Sequence, residues 1–169
     1  MGGRVTDPVR LRAYRPDEYE WVLDQVTGLQ GASREQRRER LRASGGRYHT
    51  ETLFGIEAEG RLIGEIQARF DKNMMPPGVF DIGIELWAPT DRGRGFGKAA
   101  LAALLTFLFE EEKAERVQGS TDLDNAAMRA TFESLGFTYE GTLRNFMPSP
   151  TGRRDYASYA ITRPDWARD

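Results

Sequence analysis

The sequence predicts an α/β protein in which one mixed sheet carries helices on its faces. Three observations lead to this class. Strand-like apolar segments recur along the chain, segments with helical spacing lie between them, and glycine, proline and polar clusters separate the two kinds. The resulting order, β-α-α-β-β-β-α-β-α-β-β, comprises about four helices and a sheet of six to seven strands. A chain of 169 residues is expected to form one domain, residues 1–169.

The first part of the chain predicts one strand and two helices. In Val9–Tyr14, apolar residues alternate with arginines, as in a half-buried strand. A helix is predicted from Pro16 to Val26. A second helix is predicted from Ser33 to Leu41, because Ser33 and the glutamine three residues later form a capping-box signature.

This second predicted helix is very polar. Its run of charges predicts a solvent-facing surface, and the alternative is a mobile flap over a substrate cleft. The run consists of Arg34, Glu35, Arg37, Arg38, Glu39 and Arg40.

A hairpin and a further strand follow. The hairpin consists of two predicted strands, Leu53–Glu59 and Leu62–Phe70, on either side of a tight turn at Gly60. A loop over Asp71–Gly78 then leads to a strand over Phe80–Trp87. Two helices and three strands complete the prediction. A helix over Ala99–Phe109 is followed by a strand over Glu115–Thr121 and by a helix over Asp122–Leu135 that ends at Gly136. The last two strands, Thr138–Met147 and Tyr156–Thr162, are joined by the loop Pro148–Arg153.

The most informative segment is the glycine-rich run Arg92–Lys98, which lies between a predicted strand and a predicted helix. Such a turn presents main-chain N–H groups at the positive end of the helix dipole and suits a phosphate or pyrophosphate. The dinucleotide fingerprint fails here because it requires a glycine at Lys98. The nucleoside-triphosphate loop fails because it requires a glycine at Arg92 and a hydroxyl at Ala99.

The pattern that does fit has glutamine or arginine, then glycine three positions later, then glycine or alanine two positions after that: Arg92, Gly95 and Gly97. It resembles the acetyl-CoA loop of the GNAT superfamily of N-acetyltransferases, whose folds also use this order of elements. The segment Asp124–Phe137 is similar to that superfamily's second conserved region. The segments Glu140–Arg144 and Gly152–Tyr159 are similar to the branch that contains ribosomal-protein N-terminal acetyltransferases.

The resemblance implies a mostly antiparallel sheet that splays between strands four and five. It also implies acetyl-CoA as co-substrate, with its pyrophosphate on the glycine loop, its pantetheine amides paired to the main chain near Leu86 and Trp87, and a main-chain N–H there polarising the thioester carbonyl. No metal is implied. The cofactor-binding residues expected on this basis are Leu86, Trp87, Arg92, Gly93, Arg94, Gly95, Phe96, Gly97, Lys98 and Asn125.

Acetyl transfer to an amine also needs a base, because an alkylammonium group is almost wholly protonated at neutral pH. Asp81 and Glu85 alternate to the same side of their strand and are the candidate catalytic residues. Asp81 also lies eleven positions before Arg92, where some members of the superfamily carry a catalytic glutamate. Glu65 on the neighbouring strand is a third candidate. The alternative for these carboxylates is a polar outer face or pairing with a charged substrate.

The acid that protonates the departing thiolate is not assigned by the sequence. The resemblance places it at a tyrosine where this chain has Phe132, or at a small hydroxyl residue where it has Met128. Solvent water, Tyr139 or Tyr156 are the alternatives. The chain contains no cysteine, so it has no thiol to carry a covalent acetyl group, and direct attack in a ternary complex is expected.

Composition narrows the remaining classes. A net charge of −2 and a pI near 5.6 give no reason to expect nucleic acid or an anionic membrane as partner. The absence of a long apolar run and of a signal-like N-terminus favours a cytoplasmic protein.

The predicted function is an acetyl-CoA-dependent N-acetyltransferase acting on an amine acceptor, either a small molecule (antibiotic, polyamine or amino acid) or a protein N-terminus. Dimers are common in the family that the chain resembles, so the resemblance allows a homodimer; the sequence itself does not determine the oligomeric state. The alternatives are a non-catalytic acyl-CoA sensor on the same fold and an unrelated nucleotide-binding α/β protein.

Overall fold

The computed structural model describes residues 8–26 and 31–167. Within them one sheet contains the strands β1 (Arg10–Arg12), β2 (Arg47–Tyr48), β3 (Glu51–Ala58), β4 (Arg61–Arg69), β5 (Val79–Leu86), β6 (Arg116–Asp122), β7 (Thr138–Ser149) and β8 (Gly152–Thr162). The α-helices in the same residues are α1 (Tyr19–Gln25), α2 (Arg34–Arg42), α3 (Phe96–Thr106), α4 (Ala126–Ser134) and α5 (Arg163–Trp166). The predicted mixed sheet with helices on its faces is confirmed.

The order of the strands is β1-β3-β4-β5-β6-β8-β7, and the short β2 pairs with β3. Every neighbouring pair is antiparallel except β5 and β6, which run parallel. That parallel pairing covers only Val79, Phe80 and Asp81 of β5. The rest of β5 and β6 diverge. The splay expected between the fourth and fifth predicted strands is therefore present. These two strands are β5 and β6 in the structure, because β2 was not predicted and shifts the numbering by one.

Three predicted helix starts are wrong. Helix α1 begins at Tyr19 rather than Pro16, because Pro16–Glu18 form a 3₁₀ turn. Helix α3 begins at Phe96 rather than Ala99, because the glycine loop runs directly into its N-cap, Gly95. Helix α4 begins at Ala126 rather than Asp122, because Asp122 is the last residue of β6 and Asn125 is the N-cap. The Asn125 Oδ1 accepts the N–H of Met128 at 3.1 Å, which is the side-chain bond expected of an N-cap.

The final hairpin is longer than predicted. Strands β7 and β8 continue through most of Pro148–Arg153, which the sequence had indicated as a connecting loop. A proline is tolerated here because β7 is the edge strand of the sheet, where an N–H need not pair. The short β2 and α5 were not predicted, since two and four residues are too few to show a period.

Helices cover both faces of the sheet. The larger buried cluster lies between the sheet and α3 and α4, with Leu101, Leu104 and Phe132 among its fully enclosed members. A smaller cluster, which includes Val22, Leu41 and Leu53, packs α1 and α2 against the other face. None of the helices in the described ranges combines the length and the apolar character that crossing a bilayer requires.

Candidate active site

The glycine loop presents a run of unpaired main-chain donors. The N–H groups of Gly93 to Lys98 have no acceptor among the described residues, and the next N–H, of Ala99, bonds to the Gly95 carbonyl at 3.0 Å. Gly93 and Gly95 have φ of +72° and +84°, and a Cβ built at either would meet nothing within 4 Å. The loop is therefore an open concave row of donors at the N-terminus of α3, which fits a diphosphate.

The arginines of the loop have different roles. Arg94 pairs with Glu59 at 2.5 Å and lies 3.8 Å from the carboxylate of Asp91. Asp91 is fully buried beneath the loop and binds Arg61 at 2.5 Å, which lowers the pKa of Asp91. Arg94 thus links the loop to Glu59 in the turn between β3 and β4 and to Asp91. The ammonium group of the exposed Lys98 has no hydrogen bond or ion pair with the described residues and is free to meet an anion.

A cavity of about 390 Å³ occupies the gap where β5 and β6 diverge. We call it the gap cavity. Its walls come from both strands, from α3 and α4, and from the β7–β8 hairpin; they include Asp81, Ile84, Thr121, Asn125, Phe132 and Tyr156. Asn125 therefore lies on the cavity and caps α4 at the same time. Phe132 is buried there and offers no proton, whereas Tyr156 brings a phenol to the wall.

The register of β5 decides which main-chain groups face this gap. The Trp87 N–H donates to the Ile63 carbonyl of β4 at 3.0 Å. Alternate residues of an antiparallel strand direct their groups to the same neighbour, so Ile84 and Leu86 direct theirs away from β4, towards the gap. The Leu86 carbonyl accepts a bond from Arg92 at 3.2 Å. Of the two residues predicted for pantetheine pairing, Trp87 has its N–H already used within the sheet.

The predicted catalytic carboxylates share one face of β5, as expected, but differ in their surroundings. Asp81 lies on the gap cavity and is held by Arg69, whose Nε is 3.1 Å from the Asp81 carboxylate. Glu85 lies on a second cavity, of about 250 Å³, on the face of the sheet that α1 and α2 cover. We call this the α2-side cavity. The Glu85 carboxylate has no hydrogen bond or ion pair with the described residues.

Glu65, the third candidate, also lines the α2-side cavity and is only 7% exposed. Its Oε1 is 3.5 Å from Arg40, and its Oε2 has no partner among the described residues. Burial raises the pKa of Glu65; the Arg40 guanidinium opposes that rise and the Glu85 carboxylate adds to it. The buried Tyr14 hydroxyl also has no partner in the described ranges, and burial raises the pKa of Tyr14.

Arg40 and Tyr14 are functional candidates that the sequence reasoning missed. The charge run of α2 was predicted to face solvent, and this is wrong for Arg40, which is 8% exposed. Its guanidinium binds both oxygens of Glu51, at 2.5 and 3.1 Å, and the side-chain carbonyl of Gln67. The available signal was its position next to the apolar Leu41 on the inner side of the helix.

Comparison with known proteins decides the family. The profile described as "Acetyltransferase (GNAT) domain" matches residues 8–138, which is most of the chain. The chain belongs to the GNAT acetyltransferase family. Mycothiol acetyltransferase of Salinispora tropica is 30% identical over 150 residues, covering 79% of this chain. The chain spans about half (46%) of the length of that relative.

Solved GNAT structures share the fold over nearly the full length. Spermidine N-acetyltransferase of Vibrio cholerae, in complex with CoA and spermine, superposes with a TM-score of 0.78 at 16% identity, covering 96% of this chain and 99% of that one. The ribosomal L7/L12 alpha-N-protein acetyltransferase RimL, in complex with CoA, gives 0.74 at 18% identity, covering 94% and 96%. The predicted GNAT fold is thus confirmed, and the acceptor of this chain is a separate question.

Proposed function

We propose that this protein transfers the acetyl group of acetyl-CoA directly to a primary amine within a ternary complex. The observation that carries the proposal is the run of unpaired N–H groups from Gly93 to Lys98, which lies next to the splayed strands. A diphosphate fits the first feature and an extended amide-containing chain fits the second. CoA contains both, joined to each other.

Each part of the site has a role in this reaction. The loop holds the pyrophosphate, and the open edge of β5 at Ile84 and Leu86 pairs with the pantetheine amides. Acetyl-CoA, when bound, supplies an acetyl group activated as a thioester. Main-chain N–H groups on the same edge can stabilise the charge that develops on the carbonyl oxygen. Asn125 lies across the gap from β5 and supports the cofactor from α4.

Tyr156 is the residue that we propose to protonate the departing thiolate. It lines the gap cavity and its hydroxyl has no partner among the described residues. Replacement by phenylalanine is expected to lower kcat by about tenfold, because solvent water replaces a positioned acid only in part. Steady-state release of free thiol measures this effect. Tyr139→Phe is the matched control: the Tyr139 hydroxyl lies 2.7 Å from Thr142 outside the gap cavity, and its loss should leave kcat unchanged.

The acceptor is a small amine (a polyamine, an amino acid or an antibiotic) or the N-terminus of a protein. Proteins of the same fold act on both kinds of acceptor by their names: one is a spermidine N-acetyltransferase in complex with spermine, and the other is a ribosomal-protein alpha-N-acetyltransferase. The carboxylates of the α2-side cavity favour a cationic small amine, because Glu65 and Glu85 both line a space of about 250 Å³.

The decisive experiment combines binding and turnover. Calorimetry should detect CoA binding to the folded protein, and acetyl-CoA mixed with an amine panel should release thiol and form acetylated amine. Failure to bind CoA would overturn the proposal. Binding without turnover across a broad panel would instead favour a non-catalytic acyl-CoA sensor, a reading that the buried Phe132 in the gap cavity supports.

A further inference from the structure

We infer that Glu65 and Glu85 together form the receptor for the acceptor's ammonium group, and that Glu65 takes up its proton. This inference rests on the proposed acetyltransferase function and names the residues that receive the acceptor's ammonium group and the residue that activates it. It differs from the sequence prediction, in which Asp81 and Glu85 were the leading base candidates.

The first argument is the direct opposition of two carboxylates. Glu65 of β4 and Glu85 of β5 are register partners on adjacent antiparallel strands. Side chains of such partners have Cβ atoms roughly 4.5–5.5 Å apart, and like charges placed so are destabilising. A proton shared between them, or a cation held by both, relieves that repulsion. The pair is therefore a site that favours a positive charge.

The second argument is an unpartnered polar atom. Glu65 is more than nine-tenths buried, lines the α2-side cavity, and has no hydrogen bond to Oε2 among the described residues. A buried carboxylate oxygen without a partner is costly, and in native proteins such a group calls for a specific explanation, such as a catalytic role or a bound water or ion. An ammonium N–H donates the bond that this oxygen lacks.

Other charged groups around the pair leave room for one more cation. Arg40 from α2 reaches Glu65 but is bound chiefly by Glu51 of β3. Arg69 of β4 is held by Asp81. From the segment after β1, the ring of Tyr14 packs over Gly55, which is the register partner of Glu65 on β3. Among the described residues named here, four carboxylates thus face two guanidinium groups, and the phenol of Tyr14 is neutral.

Position then connects this receptor to the thioester. The α2-side cavity and the gap cavity share Arg69, Gly83 and Ile84 in their walls. Gly83 lies between Asp81 and Glu85 on the same face of β5 and has no side chain to separate the two spaces. An amine on Glu65 can therefore reach the gap from the face opposite to α3, while the cofactor occupies the gap.

The chemistry balances with these groups. Glu65 accepts one proton from the ammonium and becomes a neutral carboxylic acid, which leaves a neutral amine. The amine nitrogen forms the new C–N bond as the C–S bond breaks, and the departing sulfur takes a proton from Tyr156 or water. The nitrogen then gives its second proton to the phenolate or hydroxide left by that transfer, and Glu65 releases its proton to solvent, so that the net products are the amide, the thiol and one released proton.

A binding experiment tests the receptor without turnover. Protein labelled with ¹³C at the glutamate carboxyl groups is titrated with n-butylammonium, or with n-butanol as a neutral analogue, in the presence of CoA. The Glu65 and Glu85 signals, assigned from the E65Q and E85Q variants, should move with the ammonium only. E65Q should weaken the binding of n-butylammonium by about tenfold or more. Equal responses to both probes, or none at either residue, would contradict the inference.

Kinetics test the proton transfer. For the best acceptor in the amine panel, E65Q should lower kcat/KM by about 100-fold while CoA affinity, measured by calorimetry, stays constant. In the wild type, kcat/KM should rise with pH through the raised pKa of Glu65. E85Q removes a nearby negative charge and so should move this rise to lower pH. E140Q, which removes a carboxylate paired with Arg116 away from both cavities, is the matched control.

The outcomes separate the two levels of the proposal. A folded protein that binds no CoA would overturn the acetyltransferase function itself. A protein that binds CoA and acetylates amines, but keeps its rate and pH profile in E65Q, would overturn only the assignment of Glu65. An unshifted pH profile in E85Q would do the same, and it keeps the test open if E65Q does not fold.

Discussion

Replacing both Gly93 and Gly95 with alanine is expected to weaken CoA binding by about 30- to 1,000-fold. Both residues have positive φ, +72° and +84°, and an L-residue in the left-handed region costs about 1–2 kcal/mol per position. The loop of the variant should therefore relax to another conformation in the free protein. To bind a diphosphate, the variant would have to return to the strained conformation that forms the row of N–H donors. The free energy of that change would weaken the binding of CoA, whereas the wild type has no such change to make. Calorimetric titration with CoA measures the loss.

The matched control is Gly136→Ala. Gly136 follows the C-terminus of α4 with φ of +83°, so the substitution introduces the same kind of strain at a position outside the loop. It should lower the thermal stability but leave the affinity for CoA unchanged. If the loop variant bound CoA as tightly as the wild type does, the loop would not be the diphosphate site.

Gly64→Ala is expected to destabilise the protein by about 3 kcal/mol or more, and to lower Tm by roughly 6–12 °C. A Cβ at Gly64 would lie 2.1 Å from the main-chain oxygen of Glu85 and 3.1 Å from the Leu86 Cα. Main-chain atoms of a paired strand cannot rotate aside as a side chain can, so β4 and β5 must move apart. Differential scanning calorimetry and urea unfolding measure the change.

Gly83→Ala on the neighbouring strand serves as the comparison. Its Cβ would lie 3.1 Å from Nε2 of Gln67, the end of a flexible side chain, and so its cost should stay below about 1 kcal/mol. Equal losses from the two substitutions would show that the close approach at Gly64 is not what constrains this pair of strands.

Local patterns predicted the parts of the site that local geometry determines. The glycine loop could be recognised because a strand, an anion-binding turn and a helix follow one another directly in the sequence. The common face of Asp81 and Glu85 followed from the two-residue period of a strand, and the structure has this arrangement. The start of α3 was missed by three residues, because Gly95 caps the helix with its main chain and carries no capping side chain.

Long-range pairing determined what the sequence could not predict. A run of six charged residues on a short helix predicts a solvated face. The neighbouring Leu41 is a local signal for burial of Arg40, but the partners of Arg40, Glu51 and Gln67, lie on two strands that the local sequence does not identify. The opposition of Glu65 and Glu85 depends on the β4–β5 register, which is set by pairing between segments rather than within them. In the same register the Trp87 N–H donates to the Ile63 carbonyl of β4, so it is not available to a ligand in the gap.

The short parallel contact between β5 and β6 has a mechanical consequence. A short seam of main-chain hydrogen bonds joins the two halves of the sheet: it consists of three residue pairs of β5 and β6 and of the adjoining Gly78 carbonyl, which accepts from the N–H groups of Glu115 and Arg116. A ligand that lies along the exposed edge would act as an intervening strand and lengthen that seam from the opposite end. We therefore expect the amide hydrogens of Ile84 and Leu86 to exchange quickly in the free protein and slowly once the seam is extended, so that occupancy and rigidity rise together.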